Sequence, residues 1–259
     1  MSAIGDERKA RQERKGKMHR LLVDTPLLEE ESPALPKDAA RHLKVLRPKD
    51  GEEMELFDGH GKWRRYAWRG ALRAVGAVER APRPERALTL FACVTKGSRW
   101  DWTIEKATEL GVSRIVPVIS ERTIVRIPKE ERSAKRERWM RIAEDAARQS
   151  DAKWLPEITE AVDFGKSLAL VRETNCFIGA LTNPPSKPLA HAISSVELRS
   201  RTLSAFIGPE GDFTPEELAA LMEIATPTSF GPTILRAETA AICAVSVLVA
   251  NSSEPKNGS

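Results

Sequence analysis

Over the first third of the chain, apolar and polar residues alternate in short runs. "HRLLV" (19–23), "EEMELFDG" (52–59), "KWRRYAWRGAL" (62–72) and "AVGAV" (74–78) fit half-buried strands, with Asp58-Gly59 and His60-Gly61 marking turns. One helical stretch, 37–46, interrupts them. Small all-β units of this kind often close into barrels to remove their sheet edges, which predicts a small β-barrel over 18–80. "ERAPRPERA" (79–87) is rich in proline and charge and predicts a linker at 81–87.

Beyond the linker the period changes. "LTLFACVT", "RIVPVIS", "NCFIGAL", "LSAFIGP" and "TPTSFG" predict strands, the first of them buried. Helices are predicted at 101–110, stopped by Gly111, and along "KRERWMRIAEDAARQS", where Trp139, Ile142, Ala143 and Ala146 share one face. An apolar helix at 238–251 ends the series. This alternation implies an α/β unit over 88–251: a parallel sheet covered by helices, with ligands at the carboxyl ends of the strands.

Composition narrows the class. The three cysteines (Cys93, Cys176, Cys243) are far apart and odd in number, which fits neither a metal-ligand spacing nor a disulfide framework and points to a reduced, cytoplasmic setting. The four histidines form no metal-ligand group either, so no metal is expected. The apolar run 240–250 is about half the length of a bilayer span. The charged N-terminus lacks a signal-peptide core, so neither membrane nor export is expected.

Net charge is +4, and residues 1–20 carry seven Lys/Arg against three acids. The polar stretch 1–17 predicts a disordered basic tail, either a solvated extension or an arm attracted to RNA phosphates; 252–259 predicts a second disordered tail. Lys62, Arg64, Arg65, Arg69 and Arg73 are interleaved with Trp63, Tyr66 and Trp68. That pattern suits nucleic acid, where cations meet phosphates and rings stack on bases; it equally describes core aromatics beside solvated charges.

The most informative stretch is "AFIGPEGDFTPEEL" (205–218). Thr214 is placed to cap a helix, Pro215 fits its first position and Glu217 completes a capping box. A phosphate would meet Glu210, Asp212, Glu216 and Glu217, so a ligand without phosphates is expected, approached closely at Gly208 and Gly211. "SFGPTILRAETAAICAVSVL" (229–248) repeats the arrangement: strand, Gly-Pro, loop, helix.

"GPEG.F...E" followed by "GP.ILR.ETA" resembles the C-terminal signature of the SPOUT, or α/β-knot, methyltransferases of the RsmE type, which modify N3 of a uridine in small-subunit ribosomal RNA. "ARHLKVLRPKDG" with "LFDGHG" resembles that family's PUA-like RNA-binding barrel, and "TKGSRWDWTIEKATELGVSRIVPVISERT" its central signature. "AARQS" resembles its "EQS" helix end, matched at Gln149 and Ser150. The resemblance runs from Met18 to Ala250. It implies a SPOUT trefoil-knot methyltransferase domain preceded by a small PUA-like β-barrel, S-adenosyl-L-methionine as cofactor, 16S ribosomal RNA in the small ribosomal subunit as partner, and a homodimer.

By resemblance and strand-end position, the cofactor contacts are Ala180, Leu181, Ile207, Gly208, Pro209, Glu210, Gly211, Gly231, Ile234, Leu235 and Arg236. Candidate RNA contacts are Arg20, Arg47, Lys62, Arg64, Arg65 and Lys96. The uracil imide N3 must lose a proton, which suggests Arg236 as stabiliser of the resulting charge, Glu238 as proton acceptor and Gln149 as the group that orients the base. Each also has a purely structural reading: a cap or phosphate contact for Arg236, a cap for Glu238, a helix end for Gln149. Asp212 departs from a usual glycine, Ala237 from threonine, Arg148 from the Glu before Gln149, and Ala152 from arginine. Two alternatives stay open: a SPOUT enzyme acting on ribose or another base, and a catalytically silent RNA-binding descendant.

Overall fold

The computed structural model describes residues 18–179, 186–195 and 200–252. The chain divides into two compact units at Pro82/Arg83.

In the first unit, β1 (His19–Leu22), β2 (Glu53–Phe57), β3 (Lys62–Trp68) and β4 (Leu72–Arg80) form a four-stranded sheet in that order. β1 and β2 are parallel and the other pairs antiparallel. A parallel pair needs a crossover; here it carries α1 (Thr25–Leu28) and α2 (Lys37–Leu46). Leu21, Leu28, Leu43, Met54, Leu56, Tyr66 and Leu72 pack between the helices and the sheet.

The basic stretch of β3 is sorted by the two-residue period of the strand. Arg65 faces outward, its guanidinium 5.7 Å from the Trp63 ring. Arg64 and Tyr66 face inward, 8% and 0% exposed. Arg64 donates from Nε to Gly76 O (2.8 Å), from Nη1 to Leu28 O (3.3 Å) and from Nη2 to Glu31 Oε1 (2.6 Å). Tyr66 Oη lies 3.1–3.2 Å from the carbonyls of Leu27, Leu28 and Glu30. The Glu31 carboxylate raises the Arg64 pKa, and burial raises that of Tyr66. The expectation that Arg64 contacts RNA is therefore corrected: its guanidinium ties the crossover to the sheet, and Tyr66 offers no face for stacking.

In the second unit, β5 (Ala87–Cys93), β6 (Arg114–Ile119), β7 (Glu157–Ile158), β8 (Val162–Asp163), β9 (Asn175–Gly179), β10 (Thr202–Ile207) and β11 (Thr226–Thr228) form an all-parallel sheet. Its order is β11-β9-β10-β5-β6-β7, with β8 also on β6. Leu88, Leu90 and Ala92 of β5 face α3 (Ser98–Glu109), α4 (Arg132–Ser150), α6 (Leu189–Ser195) and α8 (Ala237–Ala250). Phe91 and Cys93 face α5 (Phe164–Arg172) and α7 (Pro215–Met222). The unit is the α/β fold with a parallel sheet that the alternation predicts.

The predicted helices over 101–110 and 238–251 are present, the first extended back to Ser98 and ended by Gly111 at φ +88°. On α4, Trp139, Ala143 and Ala146 are buried as predicted, while Ile142 is half-buried and packs at the margin. β7, β8, α5 and α6 have no counterpart in the sequence analysis, because two-residue strands carry no period and α5 opens on Phe-Gly.

Arg64→Ala removes three hydrogen bonds of a buried guanidinium and should destabilise the first unit by about 2–3 kcal/mol, read as a lower denaturation midpoint. Burial pushes the Cys93 thiol up to about 11 and that of Cys176 up to about 12. Both should therefore resist alkylation by iodoacetamide at pH 8 until denaturant is added, as followed by mass spectrometry.

Candidate active site at the carboxyl ends of the parallel strands

Three neighbouring strands of the second unit end side by side. β9 ends at Gly179, β10 at Ile207 and β11 at Thr228, with β9 in the middle and β5 on the far side of β10. Parallel pairing puts all their carboxyl ends on one edge, where ligands of open α/β sheets bind.

The loop after β10 is built by packing. Phe213 is buried and meets the rings of Phe206 (5.5 Å) and Phe164 (5.9 Å). A Cβ on Gly208 would stand 3.0 Å from the Phe213 ring, so a side chain there would press on it. α7 follows with the expected capping box: Glu217 N donates to Thr214 Oγ1 and Thr214 N to Glu217 Oε2, both at 3.2 Å, with Pro215 in the first turn. Its amide end is satisfied from within, which supports the expectation of a ligand without phosphates.

The acids of this loop do not, however, present free negative charge. Arg99 Nη1 lies 3.1 Å from Glu210 Oε1, Glu217 serves the cap, and Asp212 Oδ1 accepts the Phe213 amide at 2.8 Å. Its own backbone amide, followed by the Thr214 hydroxyl, holds the Glu216 carboxyl below its usual range. Arg122 Nη1 donates to Gly211 O (3.1 Å) and Phe213 O (3.3 Å). Neither Arg99 nor Arg122 is singled out by the sequence patterns. Both are brought in from separate strand ends, and the only local signal for Arg122 is the turn-forming "SERT" around it.

The loop after β11 is tied down by Leu189 N to Ser229 O (3.0 Å), Ser229 N to Lys187 O (2.9 Å) and Cys243 Sγ to Phe230 O (3.2 Å). The Phe230 ring lies flush on β9, since a Cβ on Gly179 would be only 2.6 Å from it. The two Gly-Pro loops thus bracket the end of β9. Ala180 and Leu181, which follow it, lie outside the described residues.

Arg236 is exposed at the N-cap of α8, and no side chain caps that helix. Glu238 lies in its first turn, with Oε2 buried and without a hydrogen-bond partner among the described residues. Thr95 Oγ1, just past β5, and Trp100 Nε1, in the first turn of α3, are also buried and unpartnered. Buried polar atoms are normally paired. Thr95 and Trp100 follow the carboxyl end of β5 in the chain, and Glu238 follows the loop after β11.

The other candidates separate. Ile207 is 4% exposed with its side chain in the core, so only its backbone faces the edge; Pro209 is likewise buried. Ile234 is 87% exposed and Leu235 half-buried. Gln149 is exposed in the last turn of α4 and makes no hydrogen bond to Arg236 or Glu238. Lys96 is exposed beside Thr95, and Arg47 is exposed at the end of α2 with φ +49°. Arg20 lies 3.5 Å from Glu55 and Lys62 3.3 Å from Glu29, so both are engaged within the first unit. A cavity of about 230 Å³ lies at the opposite edge, by Ala87, Ser113, Arg114, Glu157 and Thr202; there Arg114 and Glu157 pair at 3.3 Å. It lies away from the Gly-Pro loops and the buried polar atoms just described. No group of residues able to hold a metal ion occurs among the described residues, and none of their helices is long and apolar enough to cross a membrane.

The family model for the RNA methyltransferase domain matches residues 82–249. The chain is 31% identical over 233 residues to the ribosomal RNA small subunit methyltransferase E of Synechocystis sp., covering 86% of this chain and 74% of that protein. It is 29% identical over 207 residues to the protein of the same name from Mycobacterium tuberculosis, covering 78% and 79%. The ribosomal RNA small subunit methyltransferase E of Neisseria gonorrhoeae, solved bound to S-adenosyl methionine, superposes with a TM-score of 0.77 at 27% identity, covering 90% of this chain and 97% of that one. A Legionella pneumophila protein solved in complex with the bound cofactor SAM superposes with 0.76 at 29% identity, covering 90% and 98%. The chain, with its bracketing Gly-Pro loops, therefore belongs to the RNA methyltransferase domain family and, within it, to the ribosomal RNA small subunit methyltransferase E family.

Proposed function

We propose that this protein transfers a methyl group from S-adenosylmethionine to N3 of a uridine in the decoding region of 16S ribosomal RNA, as a step of small-subunit maturation. The observation that carries the proposal is the pair of Gly-Pro loops on the two parallel strands that flank β9, in a chain of the same family and fold as a relative solved with that cofactor. The residues fit such a group. The backbone at Gly208, Pro209, Glu210 and Gly211 and at Gly231, Ile234 and Leu235 would hold it, with Ile207 contributing main chain only. Thr95, Trp100 and Glu238 offer unpartnered polar atoms to its amino, carboxylate and hydroxyl groups. Its long apolar and ring surfaces match loops shaped by glycine rather than by charge.

When bound, S-adenosylmethionine supplies an electrophilic methyl on a sulfonium. The chain's own task is alignment and charge management at the uracil. Arg236, exposed and free of any cap bond, is placed to stabilise the negative charge that N3 shares with the two ring carbonyls as its proton leaves. The α8 N-terminus adds a positive end of the helix dipole at the same place. Glu238 is the acceptor for that proton: its Oε2 is buried and has no hydrogen-bond partner among the described residues. Gln149 orients the base and belongs to the site only once RNA, or a second copy of the chain, brings it near.

The wider reading follows the same family. The second unit would be a SPOUT trefoil knot over 88–251, and the four-stranded first unit the PUA-like barrel over 18–80, joined by the linker at 81–87. Tails at 1–17 and 252–259 would complete the chain, which would act as a homodimer in the cytoplasm. Arg47, Arg65 and Lys96, exposed cations on the described surface, are the RNA contacts this reading retains, with Arg20 and Lys62 available only by exchanging their carboxylate partners.

The test is incubation with labelled S-adenosylmethionine and small ribosomal subunits lacking the modification, followed by nucleoside analysis. N3-methyluridine is expected; methylation of ribose or another base, or cofactor binding without transfer, would replace the proposal by the corresponding alternative. Arg236→Ala should lower kcat by about a hundredfold with little change in the KM for cofactor. Glu238→Gln, which keeps size but not basicity, should lower kcat by about a hundredfold.

A further inference from the structure

The loop after β10 does not hold its shape alone. Residues 120–123, just past β6, form a tight turn in which Ser120 and Thr123 are 2% and 1% exposed. Ser120 N donates to Thr123 Oγ1 (2.9 Å), the two hydroxyls are 2.9 Å apart, and Thr123 N donates to Ser120 O (3.2 Å). Cys93 Sγ reaches Ser120 Oγ at 3.5 Å, anchoring the turn to the end of β5. Arg126 buttresses it from outside, donating to Ser120 O (3.2 Å) and Glu121 O (2.7 Å). The rigid turn therefore presents two groups, the Glu121 amide and the Arg122 guanidinium, in fixed positions.

Both are directed at the loop after β10. Glu121 N donates to Glu217 Oε1 at 2.9 Å, while Glu217 Oε2 takes the Thr214 amide, so one carboxylate joins the turn to the helix cap. Arg122 Nη1 donates to the carbonyls of Gly211 and Phe213, and the Arg122 stem runs along Gly211, where an added Cβ would lie 3.6 Å from Arg122 Cβ. Those two carbonyls flank Asp212, whose φ of +59° is in the left-handed region that favours glycine. Asp212 is the residue that departs from the glycine usual at this place in the resemblance. The donor bridging the carbonyls on both sides of it adds to the contacts of Asp212 itself, whose amide donates to Pro209 O (3.0 Å) and whose Oδ1 accepts the Phe213 amide (2.8 Å).

We infer that the 120–123 turn is a strap that pre-forms the cofactor loop, with Arg122 as a positioning residue whose grip compensates for Asp212. The inference rests on the reading of 208–211 as a cofactor loop. Pre-ordering the loop removes an entropic cost from binding and leaves the chemical step untouched. The effect therefore falls on affinity rather than on turnover.

The experiment is calorimetric titration of the full-length protein with S-adenosylmethionine, paired with hydrogen exchange at 209–214 and kcat at saturating cofactor. Arg122→Ala should raise Kd about three- to tenfold, as expected for the loss of one or two solvent-facing hydrogen bonds. Exchange at 209–214 should rise, and kcat should stay within twofold of wild type. Glu217→Gln, which turns a donor toward the Glu121 or Thr214 amide, should raise Kd in the same direction. Asp212→Gly added to Arg122→Ala should recover at least half of the lost affinity, because glycine holds the left-handed conformation without the clamp. Unchanged Kd in Arg122→Ala, or a fall in kcat with Kd intact, would overturn the strap, and failure of Asp212→Gly to rescue would overturn its link to that residue. Should Arg122→Ala not fold, Arg122→Lys, with shorter reach and no fork, and Glu217→Gln decide the same question. Absence of binding by the wild-type protein would instead overturn the reading of the loop on which the strap depends.

Discussion

The site depends on one strand, β10, pairing in parallel with β5 and β9 at once. Its register sets Phe206 beside Phe91 on one side and beside Ile178 on the other, so Ile207 finishes level with Ala92 and one residue past Ile178. Buried on both faces, β10 reads as a nearly unbroken apolar run, as parallel strands do. Its one central polar residue, Ser204, is fully buried and 2.6 Å from Thr174 Oγ1. A slip of one residue would turn Phe206 into the helix layer of α8 and carry Gly208 off Phe213.

From that edge outward, packing and function use the same residues. The Phe91, Phe164, Phe206 and Phe213 rings form a continuous aromatic layer at the end of the sheet, with Phe91 and Phe206 stacked at 5.6 Å. Phe213 is contributed by the loop itself, so the loop is plugged into the core a few residues after it leaves the strand. Gly208 is the counterpart of that plug: its missing side chain makes room for the ring and leaves its own backbone uncovered. The same device recurs at Gly179 under Phe230. Two glycine–phenylalanine contacts thus fix two loops without calling on any side chain that the proposed chemistry needs.

Much of this could be read in the chain, and the failures have physical causes. The helix entry at Thr214–Glu217 was legible because a capping box is a local arrangement within four residues, and the structure forms it as expected. The buried strands were legible because they are apolar throughout. Arg64 was misread because a count of cations between aromatics does not say which face of a strand each occupies; here the alternation sends Arg64 in and Arg65 out. The negative charge of "PEGDFTPEE" was overestimated for a related reason. Its partners, Arg99 and Arg122, arrive from distant strand ends, and no window of sequence contains both halves of those contacts. Assignment of the two Gly-Pro loops to one ligand came from the family resemblance; periodicity alone gave the loops and left their ligand open.

Methyl transfer from a sulfonium asks for alignment more than for acid–base strength, and this shapes what such a site must conserve physically. Backbone position at the strand ends matters more than any single charged side chain along the loop. Asp212 stands in a left-handed conformation, and the 211 and 213 carbonyls on either side of it accept from a guanidinium supplied from another strand end. Among the described residues, Glu238 Oε2, Thr95 Oγ1 and Trp100 Nε1 are buried polar atoms without a hydrogen-bond partner. Arg236 stands two residues before Glu238 at the same helix start, so their side chains leave the start of α8 in different directions.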